Sequence, residues 1–525
     1  MPPAFIGGFV TALTSGVIAF GAPTAAFAAG VAAAGTFGPL IITGALVVGA
    51  RLLTQALSPQ QAGAFNTNEA RGSIRQATPI QRVIYGNARV GGALFFHEDQ
   101  DPPLLTWGLL LSARPIHAVN NVVVGAKSVI FEAQAYGTGV GSGLGDGFPG
   151  DCLTVPWFDT IGSYLRMNVR RGLPGQERDV MLITTPSGET LDDDTFIQAG
   201  TATVSFEAEY GADAEQFERL WGLGTQIPNI LLDVSGTPIH DPREPTSDPE
   251  DPTTWRFSRN ASLIQADVLR ASYGGRVPSS KMRWDKIADA ANYDDELVAD
   301  KSGNLHPRYT IDGVLSLDQT PGDMLQAILT ANAGFVASDQ GRLWVTSSRP
   351  QTPVLTITDN MMQGGILYQH TRRRDSLLNT VRTRFVAEER EYQVVDGPVR
   401  IREDLLEEDG QTFEDTLSLN YTLTHQRAQR LADLALRGTR LQRGLTTALP
   451  TRRAIGLQPG QVVMVDSRNF PHMNGVYQVE AIGYSEDFTQ RPVTLTEYDG
   501  SLANQYVAST DELPFEIVDE ALEAA

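Results

Sequence analysis

Residues 80–96, with the sequence IQRVIYGNARVGGALFF, show a pattern that recurs along most of the chain. Short runs of apolar and β-branched residues are separated by turns that contain glycine. Runs of this length and composition predict strands, and glycine gives the backbone the freedom that tight turns need. The 50 glycines and 30 prolines among 525 residues extend the pattern. The sequence therefore predicts a β-rich protein of the α+β class.

A helical middle separates two β-rich blocks. Residues 81–86 and 93–96 predict strands on either side of a turn at residues 89–92, and residues 462–465 and 477–482 predict strands in the second block. This order is compatible with two related barrels that have lost sequence similarity.

Helices are predicted over residues 262–269, 285–298 and 424–437. Thr320-Pro321-Gly322-Asp323 is typical of a helix start, because threonine caps the free amides and proline tolerates the first helical position. This helix is expected to end near Asn332, before a hairpin over residues 334–346.

The charge balance limits the classes of function. Lys and Arg total 41 against 62 Asp and Glu, a formal net charge of −21. Because duplex binding needs clustered cations, this balance argues against a nucleic-acid binder. An acidic surface can instead line a passage through which DNA slides. The single cysteine, Cys152, excludes an internal disulfide and a multi-cysteine metal site.

The beginning of the chain carries no charge before Arg51. Residues 4–20 and 38–53 are each close to the ~20 residues that cross a bilayer as a helix. We expect this Gly/Ala-rich segment to be helical and to act as a plug or a membrane-inserting element. Its candidate residues are Phe5, Ile6, Phe9, Val10, Leu13, Val17, Ile18, Phe20, Leu40, Ile41, Ile42, Leu46, Val47 and Val48.

Three interpretations of this segment compete. A signal peptide would place a small-residue cleavage site at Ala26-Phe27-Ala28, but it needs a positive start that is missing. A membrane anchor is a second possibility, although Pro23 and Pro39 make poor anchors. The favoured interpretation is a segment that neighbouring copies shelter in an assembly and that later enters a membrane.

No pattern in the chain predicts a catalytic, cofactor or metal site. His97-Glu98 lacks the second histidine one turn later that a zinc protease requires. Residues 145–150 match the glycine spacing of dinucleotide loops, but no helix is predicted after them. The carboxylate pairs Glu388-Glu389 and Glu407-Glu408 have no special spacing. We therefore expect a protein that is not an enzyme.

Several segments together resemble the phage tail tip attachment family of the lambda protein J type, the baseplate hub family, which includes hub-like proteins of gene transfer agents. The resemblance spans about residues 75–500. It is carried by the segments 80–86 with 89–92, 227–243, 255–269, 290–298, 425–432, 457–463 and 495–499. Two positions depart from the family pattern: Ala261-Ser262 replaces Pro-Ala, and Asp294 replaces a cysteine.

The resemblance implies a fold with two barrel-like hub domains around a mixed α/β middle. The expected boundaries are an apolar segment (1–57), a linker (58–75), a first hub β-domain with a loop-rich insertion (76–255), the middle domain (256–350), a second hub β-domain (351–505) and an acidic tail (506–525). We expect the last residues, from Asp511 onward, to be loose.

The resemblance also implies a role in the virion, at the distal tip of the tail. Such hubs are homotrimers whose six barrels dock on a hexameric distal tail protein or tube ring. Further implied partners are the C-terminus of the tape measure protein, the host outer membrane, and DNA only in transit. Because the sequence ends soon after Asp499, a separate fibre or spike is expected to bind the receptor.

The expected mechanism is a trimer that closes the tube and adapts sixfold to threefold symmetry. It opens for tape measure and DNA delivery, and its apolar N-termini insert in the host outer membrane. Two alternatives remain open: a membrane-anchored bacterial surface or secretion protein, and a tail-associated hydrolase.

Overall fold

A computed structural model describes part of the chain. The described residues are 45–48, 80–100, 104–124, 127–129, 132–133, 153–156, 163–176, 179, 198–209, 229–371 and 374–515.

Short strands fill the first block, as the sequence predicts. The strands are β1 (Ala45–Val48), β2 (Arg82–Tyr85), β3 (Asn87–Val90), β4 (Ala93–Gln100), β5 (Leu104–Ser112), β6 (Ala118–Val124), β7 (Lys127–Val129), β8 (Glu132–Ala133), β9 (Leu153–Pro156), β10 (Ser163–Arg170), β11 (Ala202–Glu209) and β12 (Ile230–Ser235). The antiparallel sheets β4-β5-β11-β10-β9-β8 and β3-β12-β6-β7 share one hydrophobic core. In this core Trp107 stacks on Phe206, with ring centroids 5.2 Å apart.

The turn predicted at residues 89–92 begins too early. Asn87–Val90 forms β3 and pairs with β12, with Val90 opposite Leu232. β2 pairs with a strand more than 200 residues later, so β2 and β4 are not partners in a hairpin. Long-range pairing has replaced the local turn.

The middle of the chain contains helices and short strands. They are α1 (Ala261–Arg270), α2 (Trp284–Asp294), β13 (Leu297–Ala299), β14 (Leu305–Pro307), β15 (Gly313–Ser316), α3 (Pro321–Leu329), β16 (Phe335–Asp339) and β17 (Arg342–Thr346). Thr320 accepts a hydrogen bond from the Asp323 amide at 3.2 Å, which confirms the predicted cap of α3. β16 and β17 form the predicted hairpin. α2 ends four residues before the predicted limit at Val298.

The last block contains the remaining elements. They are β18 (Leu355–Thr358), β19 (Gln363–Gln369), β20 (Thr380–Ala387), β21 (Gln393–Asp396), β22 (Arg400–Ile401), α4 (Glu403–Asp409), β23 (Glu414–Leu419), α5 (His425–Gly438), β24 (Gly444–Pro450), α6 (Thr451–Ala454), β25 (Val462–Asp466), β26 (Gly475–Ile482), β27 (Gln490–Glu497), α7 (Leu502–Gln505) and α8 (Ala508–Asp511).

These elements pack into two different cores. The sheet of β20–β23 and helix α5 join the hydrophobic core of the middle elements. β18-β25-β26-β27-β24-β19 form half a barrel around a separate core. The described residues thus contain a first β core, a large central core and a half-barrel core.

β1 lies between two of these regions. Val47 is opposite Ala337 in β16, and Leu46 is opposite Ala481 in β26. The strand therefore links the hairpin of the central core to the half-barrel. The prediction of helix is wrong for these four residues, because pairing partners are present on both sides and the β-branched Val47 and Val48 suit a strand.

The end of the described chain packs on α5. Gln429 donates to the carbonyl of Leu513 at 3.0 Å and accepts from its amide at 2.8 Å. Phe515 stacks on His425, with centroids 5.2 Å apart. The prediction of a loose tail is therefore wrong for residues 511–515, and residues 516–525 lie outside the described residues.

Candidate assembly site

Most of the predicted plug residues lie outside the described residues. Leu46, Val47 and Val48 lie in β1. The other eleven candidates are outside: Phe5, Ile6, Phe9, Val10, Leu13, Val17, Ile18, Phe20, Leu40, Ile41 and Ile42. The role of the segment stays a prediction.

A buried polar network joins the first β core to the central core. The Tyr85 hydroxyl, on β2, donates to the Asp267 carboxylate on α1, and Arg114 donates to the same carboxylate. Arg114 also donates to the Tyr273 hydroxyl at 3.0 Å. Burial and the nearby Asp267 charge raise the pKa of Tyr85 well above its usual value, so this hydroxyl stays protonated. The network is a fixed link at neutral pH.

Asp312 forms a second link, which we call the Asp312 junction. This completely buried carboxylate accepts from Arg259 at 2.6 and 2.9 Å and from the Asn87 amide at 3.0 Å. Thr310 donates to it at 2.7 Å, and Arg427 on α5 lies 4.0 Å away. Burial lowers the pKa of Arg427 to about 10, so the side chain still carries its charge at neutral pH. Elements from three parts of the chain meet at this one carboxylate.

Gly86 allows β2 and β3 to reach the Asp312 junction. Its φ of +59° lies in the left-handed region, and a Cβ there would come within 2.2 Å of the Ile311 carbonyl oxygen and 2.4 Å of the Asp312 side chain. Only glycine fits without displacing its neighbours.

A second completely buried aspartate, Asp294, holds α1, α2 and β17 together. Its carboxylate accepts from the Ser262 amide at 2.8 Å, from the Ser262 hydroxyl at 2.6 Å and from the Ser347 hydroxyl. Asn332 donates to Ser347 at 3.1 Å and extends the network. Burial raises the pKa of Asp294 to about 6, although the hydrogen bonds from the two serines oppose the shift.

Two strand segments expose large apolar side chains. In the hairpin of β13 and β14, Leu297 and Leu305 are each 61% exposed. In β19, Ile366 is 38% exposed and Leu367 is 51% exposed. Exposed apolar groups on strands suit contacts with other proteins, whereas the buried links above suit a rigid scaffold.

The described residues show no arrangement typical of an enzyme or a metal protein. Within them no group of three or more potential ligand side chains could hold a metal ion. Glu407 and Glu408 are exposed on α4. Cys152 and residues 145–150 lie outside the described part of the chain. In the same part, no helix combines the length and apolar character needed to cross a membrane.

Residues 320–482 match the family Phage-tail_3, described as "Putative phage tail protein". This range runs from the cap of α3 to the last residue of β26, and it includes the Asn332 and Ser347 side chains around Asp294. The family match supports a phage tail protein with a structural role.

A chain of a virion particle and several tail proteins of solved structure are similar to this chain. A chain in the virion of the native gene transfer agent particle has 15% identity and a TM-score of 0.55, with 90% of this chain and 97% of that chain covered. A tail protein from Neisseria meningitidis MC58 has 10% identity, coverage of 83% and 98%, and a TM-score of 0.31.

A 43 kDa tail protein of prophage MuSo2 from Shewanella oneidensis has 11% identity, coverage of 79% and 93%, and a TM-score of 0.27. No curated protein matches the chain. The likeness to the virion chain shows a shared fold over most of the length.

The sequence did not reveal the residues of the buried links as a group. Arg259 and Asn260 fall inside one of the segments that carry the family resemblance, but nothing near them indicates Asp312 or Arg427. Gly86, the last residue of the first predicted strand, was a usable signal, because a glycine within a strand indicates a close backbone approach.

Proposed function

We propose that the chain is the trimeric baseplate hub that closes the distal end of a phage tail tube. The observation that carries the proposal is the fold shared with a gene transfer agent virion chain over 90% of this chain. The family match to phage tail proteins supports the same assignment.

The internal construction suits a cap that must hold its shape. The Tyr85 network and the Asp312 junction connect the first β core to the central core, and β1 connects the central core to the half-barrel. Two β regions on one rigid subunit let three subunits present six similar surfaces. This number matches a hexameric distal tail protein or tube ring, so the trimer adapts sixfold to threefold symmetry.

The hub opens to deliver the tape measure protein and DNA. The net charge of −21 suits a lumen that does not hold DNA. Exposed apolar area costs about 25 cal/mol per Å2, so the uncharged residues before Arg51 are covered in the particle. After opening, these N-termini insert in the host outer membrane, and a separate fibre or spike binds the receptor.

Electron microscopy of the purified full-length chain and of particles labelled on it tests the hub. The expected result is a threefold ring of three chains at the tail tip. A stable monomer, or label elsewhere on the particle, would overturn the proposal.

Flotation with phosphatidylethanolamine/phosphatidylglycerol vesicles tests the membrane role separately. The double variant Val10→Asp/Leu13→Asp is expected to float at least tenfold less than the unmodified chain, because buried charges are costly in a bilayer. Val507→Asp, which adds charge at an exposed position far along the chain, is the control and is expected to float normally. Equal flotation of the double variant and the control would refute insertion through this segment.

A further inference from the structure

β19 is an open edge of the half-barrel among the described residues. It pairs with β24 on one side, where Leu367 is opposite Thr446, and no described strand pairs with its other side. The pairing is interrupted between Gln363 and Leu367, and most of the strand is exposed. An open edge presents backbone donors and acceptors to solvent.

β19 lacks the charged residues and prolines that usually keep an open strand edge from pairing with another chain. The strand QGGILYQ contains no charged residue and no proline. Residues 350–371 contain one charged side chain, Asp359, in a chain that is 20% charged. Asp359 is itself engaged by the Ser467 hydroxyl and by the Arg468 amide at 2.8 Å. Exposed, uncharged apolar edges favour pairing with another chain.

The other end of the same sheet is covered. The Arg283 amide donates to the Leu343 carbonyl of β17 at 2.8 Å, and Met282 forms a bridge with Leu343. Among the described residues the chain therefore covers the β17 edge with its own backbone, whereas β19 and β18, which pairs only with β25, each have one side without a strand partner. Of these two open strands, β19 is the longer and the more exposed.

The side chains around β19 are held in place. The Tyr368 hydroxyl donates to the His472 carbonyl at 3.0 Å, and the two rings lie 5.2 Å apart. Phe470 contacts His472, with centroids 6.2 Å apart. We name Ile366, Leu367, Tyr368, Phe470 and His472 the β19 patch. It is a preformed apolar surface beside an open strand edge.

We infer that the β19 patch binds a second copy of this chain, which continues the sheet at β19. Two copies with a net charge of −21 repel each other except where a surface lacks acidic groups, and the β19 patch contains none. The exposed Arg374 follows β19 in the chain, and the exposed Arg468 follows β25. Both charges favour an acidic neighbour, which another copy supplies.

The inference rests on the proposed trimer and specifies its contact. In a closed threefold ring each contact joins two different surfaces, so β19 meets another region of the neighbouring copy. The ring leaves no β19 edge open.

Light scattering on the full-length chain tests the inference. Leu367→Arg places a charge on the edge, and the measured mass is expected to fall from three chains to one. Leu305→Arg is the matched control, since it puts the same charge on an exposed strand leucine of the β13–β14 hairpin, and it is expected to leave three chains. A trimeric Leu367→Arg variant, or equal dissociation of both variants, would refute the β19 contact and leave the hub possible. A monomeric unmodified chain would refute the trimer itself.

Photo-crosslinking gives a second measurement that does not depend on the folding of an arginine variant. Benzoylphenylalanine in place of Ile366 is expected to yield a product of two-chain mass, with the crosslink mapped to another copy by mass spectrometry. A crosslink to residues 1–44 of the same chain, to lipid or to a different tail protein would refute the inference, as would the absence of any product.

Discussion

Asp312 and Asp294 are both completely buried beside the central core, and they are stabilised in different ways. Asp312 has a cation within reach, because Arg259 donates to both of its carboxylate oxygens. Asp294 accepts from the amide and hydroxyl groups of Ser262 and from the Ser347 hydroxyl, which are all neutral donors. Buried charge is costly without a counter-charge, so burial raises the pKa of Asp294 to about 6.

The comparison separates a carboxylate that is paired with an arginine from one that is held by neutral donors and whose burial raises its pKa. The Asp312 junction joins parts of the chain that are far apart in sequence, and its arginine partner keeps its charge at every physiological pH. The Asp294 network joins neighbouring parts of one core, and the cost of burying its carboxylate falls as the carboxylate takes up a proton. The same residue type thus forms an ion pair in one place and a neutral hydrogen-bond network with a raised pKa in the other.

The largest expected effect on stability comes from breaking the ion pair at the Asp312 junction. Asp312→Asn should lower the free energy of unfolding by about 3–5 kcal/mol, because Arg259 loses its buried partner and the new amide hydrogens face other donors. Urea unfolding at pH 7.5, followed by tryptophan fluorescence, measures the loss. A loss no greater than that of Asp294→Asn under the same conditions would contradict the distinction between the two carboxylates.

The contribution of Asp294 to stability is expected to fall as the pH rises. The folded pKa of Asp294, about 6, lies above its ordinary value of 3.8, so the folded state binds more protons between these values. Its contribution to stability is therefore fully present below about pH 3.8 and is lost as the pH rises through 6, by at most about 3 kcal/mol.

Asp294→Asn should remove this pH dependence. The variant is expected to be more stable than the unmodified chain at pH 7.5 and to lose that advantage at pH 4.5. The measurement is the difference in apparent Tm between the variant and the unmodified chain at each pH. Because both chains contain the same other titrating groups, the effects of those groups cancel in this difference. Parallel pH profiles would show that Asp294 does not titrate in this range.

The strained glycine at the Asp312 junction gives a third test. Gly86→Ala should cost about 1–3 kcal/mol, because the added Cβ meets backbone and carboxylate in a left-handed conformation. Gly410→Ala is the matched control, since Gly410 has a φ of +67° with nothing within 4 Å of the added Cβ. The two variants should differ in urea midpoint, and equal midpoints would mean that the close approach at Gly86 contributes nothing.

The smallest expected effect comes from removing one donor to Asp294. Ser347→Ala should cost about 1 kcal/mol at pH 7.5 and less at pH 4.5, because the lost hydroxyl stabilises the charged carboxylate. The pKa of Asp294 should rise further, which carbon-13 NMR of the labelled carboxyl can measure. A downward shift of that pKa would contradict the assigned role of Ser347.

Local features of the fold were predictable from the sequence. The Thr320 cap and the hairpin of β16 and β17 depend on neighbouring residues, and both are confirmed. The helix predicted over residues 424–437 is α5. Each of these predictions used interactions between residues a few positions apart.

Features set by distant parts of the chain were not predictable. Residues 285–298 have helical character, but α2 ends because the Asp294 carbonyl accepts from the Tyr309 amide at 3.1 Å and the Glu296 carbonyl accepts from Arg308 at 2.9 Å. β3 pairs with residues about 140 positions later, and Asp312 meets Arg427 only in the folded chain. Single-sequence patterns do not contain these pairings. The predicted plug residues before Ala45 stay a prediction.

The position of β1 has a mechanical consequence. Ala45 and Leu46 pair with β26, and Val47 and Val48 pair with β16, so a pull from the N-terminal side loads the ladder to β26 before the ladder to β16. Bonds loaded in shear must break together, whereas bonds at a frayed end open one after another. Tension on the N-terminus would therefore reach the half-barrel first, and the central core only after the pairs with β26 have opened.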